Sequence, residues 1–221
     1  MRNLFRSVHW SDKLIDILVV VLGISIAFWL NNWNQERQNV TLEQQYLKNL
    51  RGDLAKDSVN LTVGFMYMDT ISFSIKRIYQ LYDDRNNADS ISYYFQALRN
   101  DFLSFKPEDY TYDALRQTGD INIIQNDSIA RTLSQLYDTY ELFQIQVELA
   151  WRYTFDLMLP YYYNRNYQVG TAYDDTIYMT PKFQTTLMFY ESNLENRRGL
   201  MRKALTEIKI LNQLIELQPK E

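Results

Sequence analysis

The chain has 221 residues with a net charge of −4, from 23 Lys+Arg against 27 Asp+Glu. That is room for one ordinary domain with an appendage, without a global pull toward nucleic acid. Cysteine is absent and His9 is the only histidine, which excludes disulfides, thiolate zinc, iron–sulfur clusters, a cysteine nucleophile and any multi-histidine metal site. Hydrophobic residues make up 46%, too many for a disordered chain, and 6 Gly with 4 Pro are too few for a turn-rich β protein.

A short leader, residues 1–13, carries Arg2, Arg6 and Lys13. The uncharged run Ile17 to Leu30 follows, and extending it back to Leu14 gives 17 residues with one acid, Asp16. A bilayer takes roughly 20 helical residues, about 17 at the lower limit. Trp10 lies before the run and Trp29 and Trp33 at its far end, as interfacial aromatic belts require. Residues 14–31 therefore read as a transmembrane helix and an uncleaved signal anchor. The rivals are a buried core helix and a signal peptide cut after Ser25-Ile26-Ala27. Phe28-Trp29-Leu30 continue the apolar run past that point and favour the anchor. The cations of the leader place the N-terminus in the cytoplasm and residues 32–221 outside, in the periplasm. Asp16 reads as lying at the cytoplasmic headgroups, the alternative being an intramembrane carboxylate that pairs with a partner or carries protons. Gly23 and Ala27 form a small-xxx-small pair that lets another helix approach.

Helical periodicity dominates the outer part. Leu50, Leu54, Leu61, Phe65, Met68, Ile71, Ile75 and Ile78 recur at three- and four-residue steps, with one turn skipped at Asp57-Ser58. Nothing between the apolar run and this stripe compels a break, which predicts one helix from the membrane to about Tyr82, with Gly52 and Gly64 as places to bend. A second helix is expected from Ile91 to about Phe105, capped by Asp89 or Ser90. A third runs from Glu108 to Thr118, closed by Gly119. Ile121 to Ile124 is a buried loop or a brief extended segment. Asn126 or Asp127 caps a fourth helix with the stripe Ile129, Leu133, Leu136, Tyr140, Phe143, Val147, Trp151, Phe155 and Met158, which Pro160 kinks or ends. Tyr161–Thr180 reads as a loop. Thr180 with Pro181 starts the last helix, through Phe183, Leu187, Tyr190, Leu194, Met201, Leu205, Ile208, Leu211 and Ile215. Such helices cannot each bury a stripe alone, so the fold class is all-α: an N-terminal transmembrane helix continuing into an antiparallel helical bundle.

The stretch Val20–Gln38 resembles a family of uncharacterised single-pass membrane proteins common in Bacteroidota. Its basic leader, apolar helix with a small residue and Asn-Trp-Asn before a charged helix correspond to Gly23, Ala27, Asn32, Trp33, Asn34 and Arg37. Thr111–Tyr140 is similar to that family's middle segment. The two stretches cover about a fifth of the chain, in the family's order. The resemblance implies topology and envelope location without an activity.

No phosphate loop, dinucleotide fingerprint or nucleophile elbow is present. His9 falls on the cytoplasmic side of the predicted topology, away from every outer residue. The outer carboxylate pairs Asp83-Asp84, Glu108-Asp109 and Asp174-Asp175 read as solvated loop and helix-start charges. No metal site, cofactor or catalytic residue is expected. Tyr161, Tyr162 and Tyr163 with Arg165 and Tyr167 are the most unusual local composition. They read either as a partner surface or as the aromatic cover of the bundle's end. The expected partners are the lipid bilayer and another membrane subunit or a second copy, and not nucleic acid. The expected function is a non-catalytic scaffold or accessory subunit of an inner-membrane complex. A ligand-binding sensory module signalling through a partner is the alternative, and a carboxylate-dependent enzyme comes third.

Overall fold

The computed structural model describes residues 10–82, 87–99, 105–166 and 175–218. The protein is all-α, and among the described residues there is no strand. Among the described residues, six α-helices run in chain order: α1 (Trp10–Leu81), α2 (Ala88–Ala97), α3 (Tyr110–Thr118), α4 (Asp127–Arg152), α5 (Leu159–Asn166) and α6 (Pro181–Glu216). The chain divides into two compact units, Met1–Lys48 and Asn49–Glu221, and the division falls inside α1.

In the first unit, the large apolar side chains from Ile15 to Leu30 are 48–66% exposed. None of this stretch is buried, so it is not a core helix of the chain's own bundle, and it is long and apolar enough to cross a membrane.

The second unit is a bundle of the outer part of α1 with α4 and α6. Antiparallel packing of α1 on α6 is fixed by a ladder of contacts along both helices. Arg51 pairs with Glu216 at 3.0 Å, Asp69 with Arg198, and Tyr79 donates to Glu191 at 3.0 Å. The Tyr82 hydroxyl closes the ladder on the Thr180 carbonyl at 2.9 Å. Helix α4 is antiparallel to α6 as well, with Asn193 donating to the Gln146 carbonyl at 3.0 Å and Tyr153 stacked on Phe189.

Flanked by buried Ser72 and Ser74 in α1 and by buried Thr186, Asn193 and Glu207 in α6, a row of seam positions runs along each helix at heptad spacing. In α1 they are Leu50, Leu54, Asp57, Leu61, Gly64, Met68, Ile71, Ile75 and Ile78. In α6 they are Phe183, Leu187, Tyr190, Leu194, Arg197, Met201, Ala204, Ile208 and Leu211. Alternating steps of three and four keep one seam facing its partners, as in a coiled coil. The turn of α1 that lacks an apolar residue is therefore not skipped: Asp57 fills it.

In α4 the seam runs Ile129, Leu133, Leu136, Tyr140, Phe143, Val147 and Ala150, then Thr154, Met158 and Tyr161. The last steps carry one residue too many for a heptad. A π-helical turn over Tyr153–Met158 absorbs it, with the Leu159 N–H reaching back to the Thr154 carbonyl. Trp151 and Phe155, expected on the buried stripe, instead lie exposed and stacked on each other. Pro160 neither ends nor breaks the chain's helical course. It is the second residue of α5, which continues directly from the π turn.

The shorter elements depart from the sequence expectations in defined ways. Helix α2 starts at Ala88, and Asn87 at its N-cap donates its side-chain amide to the Leu81 carbonyl, tying the start of α2 to the end of α1. It ends at Ala97, so Phe105 lies outside it, buried in non-helical chain. Helix α3 stops at Gly119, whose φ of 77° is the left-handed conformation that glycine adopts freely. Residues Asp120–Ile123 form a single 3₁₀ turn rather than an extended run. Asn126 caps α4, its Oδ1 accepting from Ser128 N at 2.9 Å and Ile129 N at 3.3 Å. The Thr180 hydroxyl caps α6 by accepting from Phe183 N at 3.2 Å, with Pro181 following it. The region expected as a loop is helical through Asn166 and again over Asp175–Met179.

Candidate functional site

The most distinctive chemistry in the bundle is a buried polar layer centred on Asp57. This carboxylate is 0% exposed and sits in the apolar seam of α1. Its Oδ1 accepts the Glu108 backbone N–H at 2.9 Å and its Oδ2 accepts the Tyr140 hydroxyl at 2.8 Å. One turn earlier on α1, Asp53 accepts the hydroxyl of Thr111. The Tyr137 hydroxyl donates to the Glu108 carbonyl at 3.0 Å, and the Tyr137 ring stacks on Tyr112 at 3.7 Å. Lys56 closes the outer edge, 3.6 Å from the Glu108 carboxylate. Two turns of α1 and one face of α4 thus hold the chain where it enters α3.

Burial is the main electrostatic fact here. It pushes the Asp57 carboxyl from 3.8 up to about 6, against the Glu108 and Tyr140 hydrogen bonds and with help from the negative Glu108 and Asp53. The same burial drives Tyr137 and Tyr140 upward, reinforced by the Asp57 charge, so both stay neutral hydrogen-bond donors. On the α6 side of Tyr140, Glu207 is 7% exposed and raised by burial, opposed by the Thr139 hydroxyl and Lys203. Its Oε2 has no hydrogen-bond partner. Further along α6, Arg197 is 1% exposed and donates its Nε–H to Asn193 Oδ1 at 3.0 Å.

Asp53, Asp57, Tyr137 and Tyr140 are engaged with the segment that enters α3. Among the described residues, no set of three or more His, Cys, Asp and Glu side chains is placed to hold a metal ion. Of the adjacent acids, Glu108-Asp109 lies at the entry to α3, where the Glu108 backbone is clasped and its carboxylate meets Lys56. Asp83, Asp84 and Asp174, the side chain of Asp175, and His9 lie outside the described residues.

The tyrosine cluster divides. Tyr161 and Tyr162 are 3% and 6% exposed, which corrects the partner-surface reading for both. They pack around Phe95, with ring centroids at 6.0 and 4.6 Å, together with Tyr178 and Phe183. The Tyr178 hydroxyl donates to the Tyr161 carbonyl at 2.9 Å, so a ring from a second 3₁₀ turn, Asp175–Met179, satisfies a backbone group in α5. These aromatic rings form the core where α2, α5 and the start of α6 meet. The side chains of Tyr163 and Arg165, and Tyr167 altogether, lie outside the described residues.

In the first unit, Gly23 has open space where a Cβ would stand. Ala27 lies one turn later in the same exposed stretch. Trp29 and Trp33 stack with interplanar angle 5° and centroids 6.4 Å apart, and the Arg37 guanidinium lies 4.2 Å from the Trp33 ring centre. The four-residue spacing aligns the three side chains on one helix face, giving an aromatic and then cationic border to the apolar stretch. The side chain of Trp10 lies outside the described residues.

The sequence reading passes over Asp57, Glu207 and Arg197. For Asp57 and Arg197 the signal lies in the heptad phase, because both occupy positions where the pattern demands a buried residue; Glu207 lies beside that row. No protein-family model, curated protein or solved structure matches this chain.

Proposed function

We propose that this protein is a single-pass, membrane-anchored helical scaffold or accessory subunit of an inner-membrane complex, with a cytoplasmic N-terminus and a periplasmic bundle. The observation that carries the reading is the exposure of every large apolar side chain from Ile15 to Leu30. In water such a stretch is unfavourable by about 25 cal/mol for each Å² of apolar surface, and lipid removes that penalty. The Trp29–Trp33–Arg37 border suits a headgroup region. The leader's cations against the single Arg37 after the run support the orientation. A non-catalytic role is supported by what the buried polar groups do: Asp53, Asp57, Tyr137 and Tyr140 spend their hydrogen bonds holding α3 in place. Membership of the Bacteroidota family that Val20–Gln38 resembles belongs to the same proposal.

A reporter active only in the periplasm, fused after Glu221, should be active, and the same reporter at the N-terminus should be silent. Mass spectrometry of the membrane fraction should find the uncleaved chain. Crosslinking in native membranes should trap the protein with a second copy or another subunit, and Gly23→Ile should weaken that adduct without altering the melting of the bundle. A reversed reporter pattern, a chain cut after Ala27, or adducts indifferent to Gly23→Ile would each count against the proposal.

A further inference from the structure

We propose that the Asp57 clasp is a proton-operated latch, holding segment 105–109 and α3 against α1 and α4 when Asp57 carries a proton and loosening them when Asp57 ionises. The geometry allows both states. A protonated Asp57 keeps Oδ1 as acceptor for the Glu108 N–H and turns its own O–H toward the Tyr140 oxygen, now an acceptor.

The surroundings decide which state favours the closed form. Asp53 from α1 and Glu108 from the entering segment act on the carboxyl directly; Lys56 pairs with Glu108, and Asp109 and Tyr112 act on the neighbouring Tyr137. From α4, Tyr140 and Tyr137 sense the Asp57 charge; from α6, Glu207 acts on Tyr140 and is itself set between Asp138 and Lys203. The acids outnumber the cations, and the two lysines keep 62% and 56% of their side chains in solvent. Ionising Asp57 therefore adds a buried negative charge to a negative neighbourhood.

The sign follows from linkage. The folded-state carboxyl titrates at about 6, above its ordinary 3.8, so the closed form binds a proton that the open form has released. Stability from this group is fully present below 3.8 and is lost as pH rises through about 6. With those two values the opening constant of α3 rises about tenfold between roughly pH 5 and pH 7.5.

The test uses the full chain in detergent micelles. Amide hydrogen exchange of residues 110–118, corrected for intrinsic rates, should show that rise with a midpoint near Asp57's own. Asp57→Asn, which keeps the acceptor and cannot ionise, should flatten the profile. Carbon-13 NMR of the Asp57 carboxyl in the wild type measures its titration directly and stands even if the variant does not fold. A carboxyl midpoint near the ordinary aspartate value, or an Asp57→Asn protein that keeps the wild-type pH profile, would overturn the latch.

Discussion

Gly64 occupies a seam position of α1 facing α6, and a Cβ placed there lies 2.6 Å from Met201 Cε and 3.9 Å from Met201 Sδ. Carbon atoms in contact sit about 3.5–4.0 Å apart, so an added methyl overlaps the methionine by about 1 Å. What yields is the far end of a flexible side chain. Gly64→Ala asks Met201 to change a terminal torsion, at about 0.5–1.5 kcal/mol for an off-rotamer angle. It gains about 1 kcal/mol of helix propensity. The two nearly cancel, and the variant should melt close to wild type. Gly64→Leu adds three more heavy atoms, which no rotation of Met201 accommodates, so α1 and α6 must separate. Overpacking of that kind costs about 1–3 kcal/mol. Gly199, exposed on α6 with nothing within 4 Å of a Cβ, is the control. Gly199→Ala should stabilise by about 1 kcal/mol, the propensity gain alone. Met201→Ala should cost about 2–5 kcal/mol, and adding Gly64→Ala should return part of that, because its methyl enters the vacated space. Urea unfolding of the full chain in micelles, followed by circular dichroism, reads all five variants. If Gly64→Leu unfolds at the same urea concentration as Gly199→Ala, or if the double variant is additive, Gly64 is not the contact that sets the spacing of α1 and α6.

Two further substitutions test single hydrogen bonds. Tyr140→Phe removes the hydroxyl that serves Asp57 Oδ2 and should cost about 1.5–3 kcal/mol near neutral pH, as for a bond to a charged group. An unchanged urea midpoint would mean that Asp57 has another donor. Asn126→Ala removes the acceptor for two amides at the start of α4 and should cost about 1 kcal/mol. Asn126→Asp, which keeps the acceptor, should restore it, and failure to do so would put the loss elsewhere.

Much of this architecture is legible in the sequence, because a long apolar run and three-four periodicity are strong signals. The apolar stretch, the helix to Leu81, the stop at Gly119 and the caps at Asn126 and Thr180 all follow from local chemistry. The losses share one physical cause. Reading a stripe by its apolar members alone passes over buried positions that are not apolar, so Asp57 looks like a gap and Arg197 drops out of α6. It also accepts apolar residues that keep the step but leave the seam: Trp151 and Phe155 continue a four-residue spacing from Val147, while Ala150 and Thr154 are the buried ones. Pro160 misleads for a related reason. Its effect depends on the turn before it, and the π turn over Tyr153–Met158 is written in no single residue. The tyrosine-rich segment reads as a loop because tyrosines at adjacent positions carry no helical period. The rings that bury Tyr161 and Tyr162 come from α2, α6 and the 3₁₀ turn at Asp175–Met179.

The positions that interrupt the seam answer a problem that heptad packing creates. A uniformly apolar seam tolerates sliding by one heptad, about 10 Å, because each step presents similar side chains to similar holes. Asp57 does not tolerate it. Its two acceptors are satisfied only where the Glu108 amide and the Tyr140 hydroxyl are in reach. A slip of α1 past α4 would bury the carboxylate without donors, a loss of about 1–3 kcal/mol for each unsatisfied group and more for a charged one. Gly64 makes the same demand sterically, since the flexible end of Met201 fills the space that a slipped register would give to a leucine. At the far end, Asn193 bridges Gln146 and Arg197 and constrains α4 against α6. One register thus satisfies three different kinds of constraint, on three helices. The carboxylate that helps to fix it is also the group whose ionisation, raised into the range of ordinary environmental pH, governs how firmly α3 is held.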